Sequence, residues 1–281
     1  MAITSKEFPI LEIYGFHHTD TSKRAEHVRG IHQCPFLEKR CVKKGHTDPS
    51  VPLGYCSVKW NSPAGAIITC PNRLYFDSYE IFRRPIMEVF GTSKNVRLKP
   101  EQGGLHPDFT MDWVVVKTDP NLGVLDFFGI EIQTIDITGT VYPAFAAYMA
   151  GKDDWKRKGY GINWANVWKR LLPQVVAKAQ VYRHLGKRLY VLLQDSLLTY
   201  VLARGDLAKA PKHQGEIIFH SYEYNGKTGA DGIRTLEFHT ELQTTIEAVQ
   251  TAFMMPSIKI SQKEALKLIQ AEIGTAIVFD S

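Results

Sequence analysis

Asp112 and Glu131 are the residues of this 281-residue chain whose type and spacing most directly suggest chemistry. They flank Asp119-Pro120-Asn121-Leu122-Gly123, a turn segment in which proline presets φ and asparagine and glycine tolerate positive φ. Trp113 to Val116 and Val124 to Ile132 are β-branched or aromatic runs, as strands prefer. Folding about a turn centred near residue 121 brings Asp112 beside Glu131. Two carboxylates side by side repel unless a cation lies between them. Oxygen ligands of this kind suit a hard ion such as Mg²⁺. Gln133 shares the face of Glu131, because strand side chains alternate. Its amide can hydrogen-bond and position but brings no charge. Asp126 falls on the opposite face by odd spacing. Asp108, in the pair Pro107-Asp108, competes with Asp112, but it lies four residues further from the turn and should overshoot Glu131.

Gln174 and Lys178 stand one turn apart on a predicted helix. Both could face a phosphate, with Lys178 supplying the cation that Gln133 lacks; the plainer reading is a solvated helix face. Four cysteines, Cys34, Cys41, Cys56 and Cys70, crowd one early segment with the spacing C-x6-C-x14-C-x13-C. Clustered thiols in a reducing compartment suggest a metal site, and a tetrahedron of thiolates favours iron or zinc. The plainer alternative is four buried free thiols. The same stretch is basic. From Lys23 to His46, seven Lys and Arg face two Glu, a net +5 that equals the charge of the whole chain. A concentrated basic patch suits a polyanion.

These residues need a scaffold. Leu11 to Phe16 reads as a short strand, and Ser22 caps a helix from Lys23 to about Gln33 that stops near Cys34-Pro35. Residues 34 to 70 are punctuated by proline and glycine and read as loop stabilised by a bound metal. A second helix is expected from Asn72 or Arg73 to Phe90, kinked at Pro85 and stopped at Gly91. Residues 138 to 161 look irregular. A long helix from Asn163 to Leu185, interrupted at Pro173, precedes a buried strand in 186–194 and a short helix from Asp195 to Val201. Glu216 to Tyr224 alternates like a strand, with a turn at Asn225-Gly226. Two helices, near 239–254 and 261–273, close the chain, the last with a Ser261/Glu264 capping box. The order predicts an α/β fold, with a mixed central sheet flanked by helices.

Neither G-x-G-x-x-G after a strand, GK[ST], G-x-S-x-G nor HExxH occurs, which argues against nucleotide-binding and serine-hydrolase classes. No apolar run approaches the roughly 20 residues that span a bilayer. The N-terminus lacks the apolar stretch of a signal peptide, so a cytoplasmic location is expected.

The core resembles the PD-(D/E)xK nucleases, which carry an acid on one strand and a D/E-x-K triplet on its hairpin partner. Asp112 matches the acid, and Glu131-Ile132-Gln133 the triplet, with Gln in place of Lys. The N-terminal half is more specific. Gly15-Phe16, Arg29, Cys34-Pro35-Phe36, Cys41-Val42-Lys43, Pro52-x-Gly54-x-Cys56-Ser57-Val58 and Cys70-Pro71-x-Arg73-Leu74 are similar to the NotI restriction endonuclease family, which includes EagI-like enzymes. Ile130 to Asp136 fits the same family, and the match touches most of residues 11 to 200.

The resemblance implies a type II restriction endonuclease that cuts double-stranded DNA as a homodimer, at a palindromic and GC-rich site. It implies Mg²⁺ held by Asp112, Glu131 and the backbone carbonyl of Ile132, with Gln133 positioning water. It adds an acid from the preceding helix, Glu88, with Glu80 as competitor. It makes the four cysteines the ligands of a structural iron, with zinc as the other fitting ion. It also implies a cognate DNA methyltransferase encoded nearby. Residues 1–72 then form the four-cysteine, DNA-contacting region, and residues 73–281 the catalytic domain. Arg24, Arg29, Lys39, Arg40, Lys43 and Lys44 are the candidates for phosphate or base contact. Two other classes fit part of the pattern: a noncatalytic metal-stapled DNA-binding protein, and a metal-dependent nuclease of repair or mobile-element type.

Overall fold

The chain begins as a tight hairpin. β1 (Ile10–Ile13) turns through Tyr14 and Gly15, both at positive φ, into β2 (Phe16–His17). Ser22 then caps α1 (Lys23–Gly30), its Oγ accepting the Ala25 N–H at 3.3 Å. The computed structural model describes residues 8–44, 50, 52–60, 65–152, 159–205, 207–211, 214–254 and 261–272.

The expected loop of the cysteine segment is more regular than its proline and glycine content suggests. β3 (Gln33–Cys34) and β4 (Lys39–Arg40) form a small hairpin, and β5 (Tyr55–Lys59) and β6 (Ala66–Ile68) join the first two strands in a four-stranded sheet, order β2-β1-β5-β6. This sheet buries Ile10, Ile13, Val58, Ala66 and Ile67 without residual exposure, so it has a core of its own side chains.

The second expected helix is broken. A 3₁₀ turn (Pro71–Tyr75) leads into a four-residue turn α2 (Phe76–Tyr79), and Asp77, Ser78 and Tyr79 all take positive φ before α3 (Arg83–Phe90). The break wraps Tyr75, Tyr79 and Phe82 around Trp113, whose Nε1 donates to the Tyr75 hydroxyl at 3.0 Å. Pro85 produces no kink because it falls in the first turn of α3, where a missing N–H costs no helical bond.

Next come β7 (Val96–His106), β8 (Phe109–Thr118) and β9 (Val124–Gln133), the last two closing on the expected turn. Asp119 Oδ1 accepts the N–H groups of Asn121 and Gly123, each at 2.8 Å. Residues 138–161 are not irregular throughout. β10 (Ile137–Gly139) pairs with β11 (Tyr160–Ile162) on either side of α4 (Tyr142–Met149). The long helix runs as α5 (Trp164–Asn166), a π-helical turn (Val167–Leu171) and α6 (Leu172–His184). The wider turn lies just ahead of Pro173, which lacks an N–H for the α-helical ladder, so the helix continues where an interruption was expected.

β12 (Leu189–Gln194) is buried at every residue, and α7 (Asp195–Arg204) follows it. β13 (Ile217–Thr228) continues past Asn225-Gly226, with a shift in register between Tyr224 and Thr228, and the chain reverses only at Gly229–Ile233 into β14 (Arg234–Thr244). Residues 239–244 therefore belong to a strand, not a helix, and α8 (Ile246–Met254) starts later than expected. α9 (Gln262–Glu272) carries the predicted capping box, with the Ser261 N–H on Glu264 Oε2 and the Glu264 N–H on Ser261 Oγ.

The main sheet has the order β14-β13-β12-β9-β8-β7, with β12 parallel to both neighbours and the other pairings antiparallel. α6 packs on the face that carries Glu131, and α3 on the other, where Phe90 meets Phe128 at 5.3 Å. One hydrophobic cluster runs through both sheets. Among the described residues, no helix is long and apolar enough to cross a membrane.

Candidate active site

The pairing Trp113↔Ile130 puts Asp112 and Glu131 opposite each other one step along β8 and β9. Each acid is fixed by the partner strand's main chain. The Asp112 N–H donates to Glu131 Oε1 at 3.2 Å, and the Ile132 N–H donates to Asp112 Oδ2 at 3.0 Å. Lys178 comes down from α6. Its Nζ donates to Glu131 Oε2 at 2.6 Å and lies 3.7 Å from Asp112 Oδ1. The Glu131 side chain is 2% exposed and that of Asp112 38%, so the pair has a buried end and a wet end. Burial first, and then repulsion from Asp112, push the Glu131 carboxyl up to about 8, although Lys178 pulls the other way.

α6 reaches the sheet because residue 129 has no side chain. A Cβ on Gly129 would lie 2.1 Å from Tyr182 Cζ. Tyr182 is one turn beyond Lys178, so the ring settled on β9 sets the height at which the amine meets the acids.

Gln133 lines a pocket of about 470 Å³ with Asp136, Asn163, Asn166, Arg170 and Gln174. A second pocket, of about 540 Å³, shares Asp136, Asn163, Asn166 and Arg170 and extends to Lys43, Lys44 and Tyr142. The shared lining makes one polar groove that runs from Gln133 and Gln174 to Lys43 and Lys44. Arg170 and Asp136 had not been singled out in the sequence as groove residues. The signal was there: Arg170, Gln174 and Lys178 recur at a spacing of four, the period of one helix face.

Other expected site residues lie elsewhere. Glu88 is on the opposite face of the sheet, bonded to Arg84 and the Tyr190 hydroxyl, and it cannot support an ion held by Asp112 and Glu131. Glu80 pairs with Arg83 in solvent. Asp108 sits at the β7–β8 turn, 79% exposed, so it does overshoot. Asp126 pairs with Lys187. Of the basic residues, Arg29 is buried and donates to the carbonyls of Asp20 and His17. Lys43 turns its amine onto the Tyr55 and Thr69 carbonyls and over the Tyr55 ring. Both side chains are engaged by main-chain carbonyls, a structural use the sequence reading did not foresee. Arg24, Lys39, Arg40 and Lys44 are exposed.

Cys34, Cys41, Cys56 and Cys70 gather from β3, the end of β4, β5 and the end of β6. All are free thiols, and three are buried. Burial pushes Cys34 up to about 11 and raises Cys41 and Cys56, and neighbouring thiols add to each shift. No three of the sulfurs come within 4.8 Å of one another. The segment therefore carries a cluster of free thiols.

The family model described as Restriction endonuclease NotI fits residues 21–234. No curated protein and no solved structure matches the chain.

Proposed function

The chain belongs to the restriction endonuclease NotI family, a family of site-specific DNA hydrolases, and we propose that it cuts double-stranded DNA with Mg²⁺ at the Asp112–Glu131–Lys178 constellation. The donor set fits a hard divalent ion: two facing carboxylates, one buried and one wet, with burial and then repulsion from Asp112 raising the Glu131 pKa. Asp112, Glu131 and the Ile132 carbonyl would hold that ion. When bound, it lowers the pKa of an attacking water and polarises the scissile phosphate.

The chain's own groups do the rest. Lys178 brings its positive charge to the acids, orients the water and offsets charge building on the phosphate, as electrostatic stabilisation requires. Gln133 positions by hydrogen bonding alone. Arg170 and Lys44 line the groove as contacts for the DNA backbone. Arg24, Lys39 and Arg40 extend that basic surface.

The observation that carries this reading is the 2.6 Å contact between Lys178 Nζ and Glu131 Oε2 beside Asp112, a cation delivered by a helix to a strand acid. A noncatalytic DNA-binding module has no use for two carboxylates near phosphate. We further assign a palindromic, GC-rich target, a homodimer whose two-fold axis matches it, and a cytoplasmic location beside a cognate methyltransferase. The thiol cluster has the donor chemistry of a structural iron site, with zinc as the competing ion. Elemental analysis of the purified chain decides between them, and metal-free folded protein would leave the cysteines as core residues.

The functional test is digestion of a fully sequenced plasmid with Mg²⁺ and with EDTA, followed by mapping of fragment ends. Glu131→Ala should bind DNA in Ca²⁺ and leave it intact in Mg²⁺. Retained cutting would remove Glu131 from the mechanism. A neighbouring methyltransferase gene separates restriction from repair or mobile-element roles.

A further inference from the structure

On the face of the main sheet turned away from Asp112 and Glu131, three side chains from three elements converge. His220 and Glu241 are a cross-strand pair on β13 and β14, and Glu88 comes from α3. His220 Nε2 lies 3.4 Å from Glu88 Oε2 and 3.3 Å from Glu241 Oε2, and one ligand atom from each residue lies within 4.8 Å of the others. The imidazole is fully buried, and neither ring nitrogen makes a hydrogen bond. The carboxylates beside Nε2 return only part of the desolvation cost of such a buried ring, and Nδ1 has no partner.

The separations have a simple geometric meaning. Ligand atoms bound at roughly 2.0–2.1 Å in a tetrahedron stand roughly 3.3–3.4 Å apart, the packing distance around a shared zinc-sized ion. We propose that Glu88, His220 and Glu241 form a second metal site, which takes Zn²⁺ and pins α3 to the β13–β14 hairpin.

One imidazole and two carboxylates are ligands that Zn²⁺ accepts, whereas Mg²⁺ keeps to oxygen. The fourth position opens on a pocket of about 500 Å³ lined by Arg84, Lys187, Arg188 and Tyr190, where water can complete the sphere. Two contacts orient Glu88 for this duty. Arg84 Nε takes its Oε1 at 3.1 Å, leaving Oε2 toward the histidine, and the Tyr190 hydroxyl donates to Oε2 at 3.3 Å. Such outer contacts fix a ligand's direction. The site shares no residue with the acid pair and does not depend on the nuclease reading.

The test uses the full chain after chelation. ZnCl₂ is titrated by calorimetry into the parent protein, Glu88→Gln and Glu241→Gln, while the His220 ring nitrogens are followed by ¹⁵N NMR. Both substitutions lie at partly exposed positions and keep side-chain size, so folding is retained. The parent should bind one Zn²⁺ that each variant loses or binds more weakly, by at least the ~10–100-fold that loss of a supporting contact costs. Zn²⁺ should move the His220 signals in the parent only, and MgCl₂ should leave them in place. Zinc binding at the cysteines appears equally in all three proteins and cancels. Equal stoichiometry and affinity across the three, or His220 signals that Zn²⁺ does not move, would overturn the proposal.

Discussion

Glu131 sits between a second carboxylate and an amine, away from water, and keeps its proton to about pH 8, whereas an ordinary glutamate titrates near 4.5. Between those values the folded chain holds a proton that the unfolded chain has released. The stability of the metal-free protein therefore falls as pH rises through the window. Glu131→Gln keeps the neutral form throughout. Its gain in Tm over the parent should grow between pH 4.5 and 8 and level off above, as thermal melts with EDTA will show. A gain independent of pH would place the titration on another group. Lys178→Met keeps the stem and removes the charge. It should slow cutting by about 10²–10³-fold, the usual effect of losing one transition-state electrostatic contact, while DNA binding in Ca²⁺ persists. Gln133→Ala should cost less, since an amide only positions. Asp112 and Glu131 can be nominated from type and spacing, whereas for Lys178 the sequence favours a solvated helix face over a place beside the acids. The place of Glu88 is not legible, since nothing in a linear sequence says which face of a sheet a packed helix covers. His220 and Glu241 escaped for a related reason: a cross-strand pair is visible only once the register is known.

The elements differ in how far local rules decide them. The β8–β9 hairpin follows from its turn, where Asp119 caps the main chain, so its strands fall close to where residue types predict. The break at Asp77–Tyr79 is imposed by packing around Trp113, which comes from a distant strand, and a local propensity reading extends the helix across it. The sequence reading starts a helix near residue 239, inside the second half of β14. The identity of β14 comes from β13, which pairs with it from Ile217↔Thr244 to Thr228↔Arg234 across two bulges. Gly129 is the element-scale lever on the site. In Gly129→Ala the new methyl meets Tyr182, and overpacking of this kind costs about 1–3 kcal/mol. Lifting α6 also draws Lys178 away from Glu131. Urea titration should show the stability loss, and cutting should fall even under conditions where the variant is fully folded. Adding Tyr182→Leu should return part of the stability, and strict additivity of the two changes would deny the contact.

At the scale of the molecule, a buried knot ties the N-terminal sheet to the main one. Glu12 accepts from Arg73 Nε at 2.9 Å, Ser57 Oγ at 2.8 Å and the Tyr224 hydroxyl at 2.7 Å, all inside the core. Arg73→Leu strands the Glu12 carboxylate and should cost about 3–5 kcal/mol in denaturant unfolding. On DNA, Lys44→Ala and Arg170→Ala should each reduce the slope of log affinity against log salt by about 1, and an unchanged slope would take that residue off the phosphates. The order of strands in the main sheet also has a kinetic meaning. β9 meets β8 across a tight turn, but it meets β12 only after the chain has passed through α4, α5 and α6. Closing a short loop loses little entropy and closing a long one loses more, so local pairing comes first. The nascent hairpin thus holds two negative charges before any helix can deliver the amine that offsets them. Divalent salt in the refolding buffer should shorten that wait, and stopped-flow traces with and without it will report the difference.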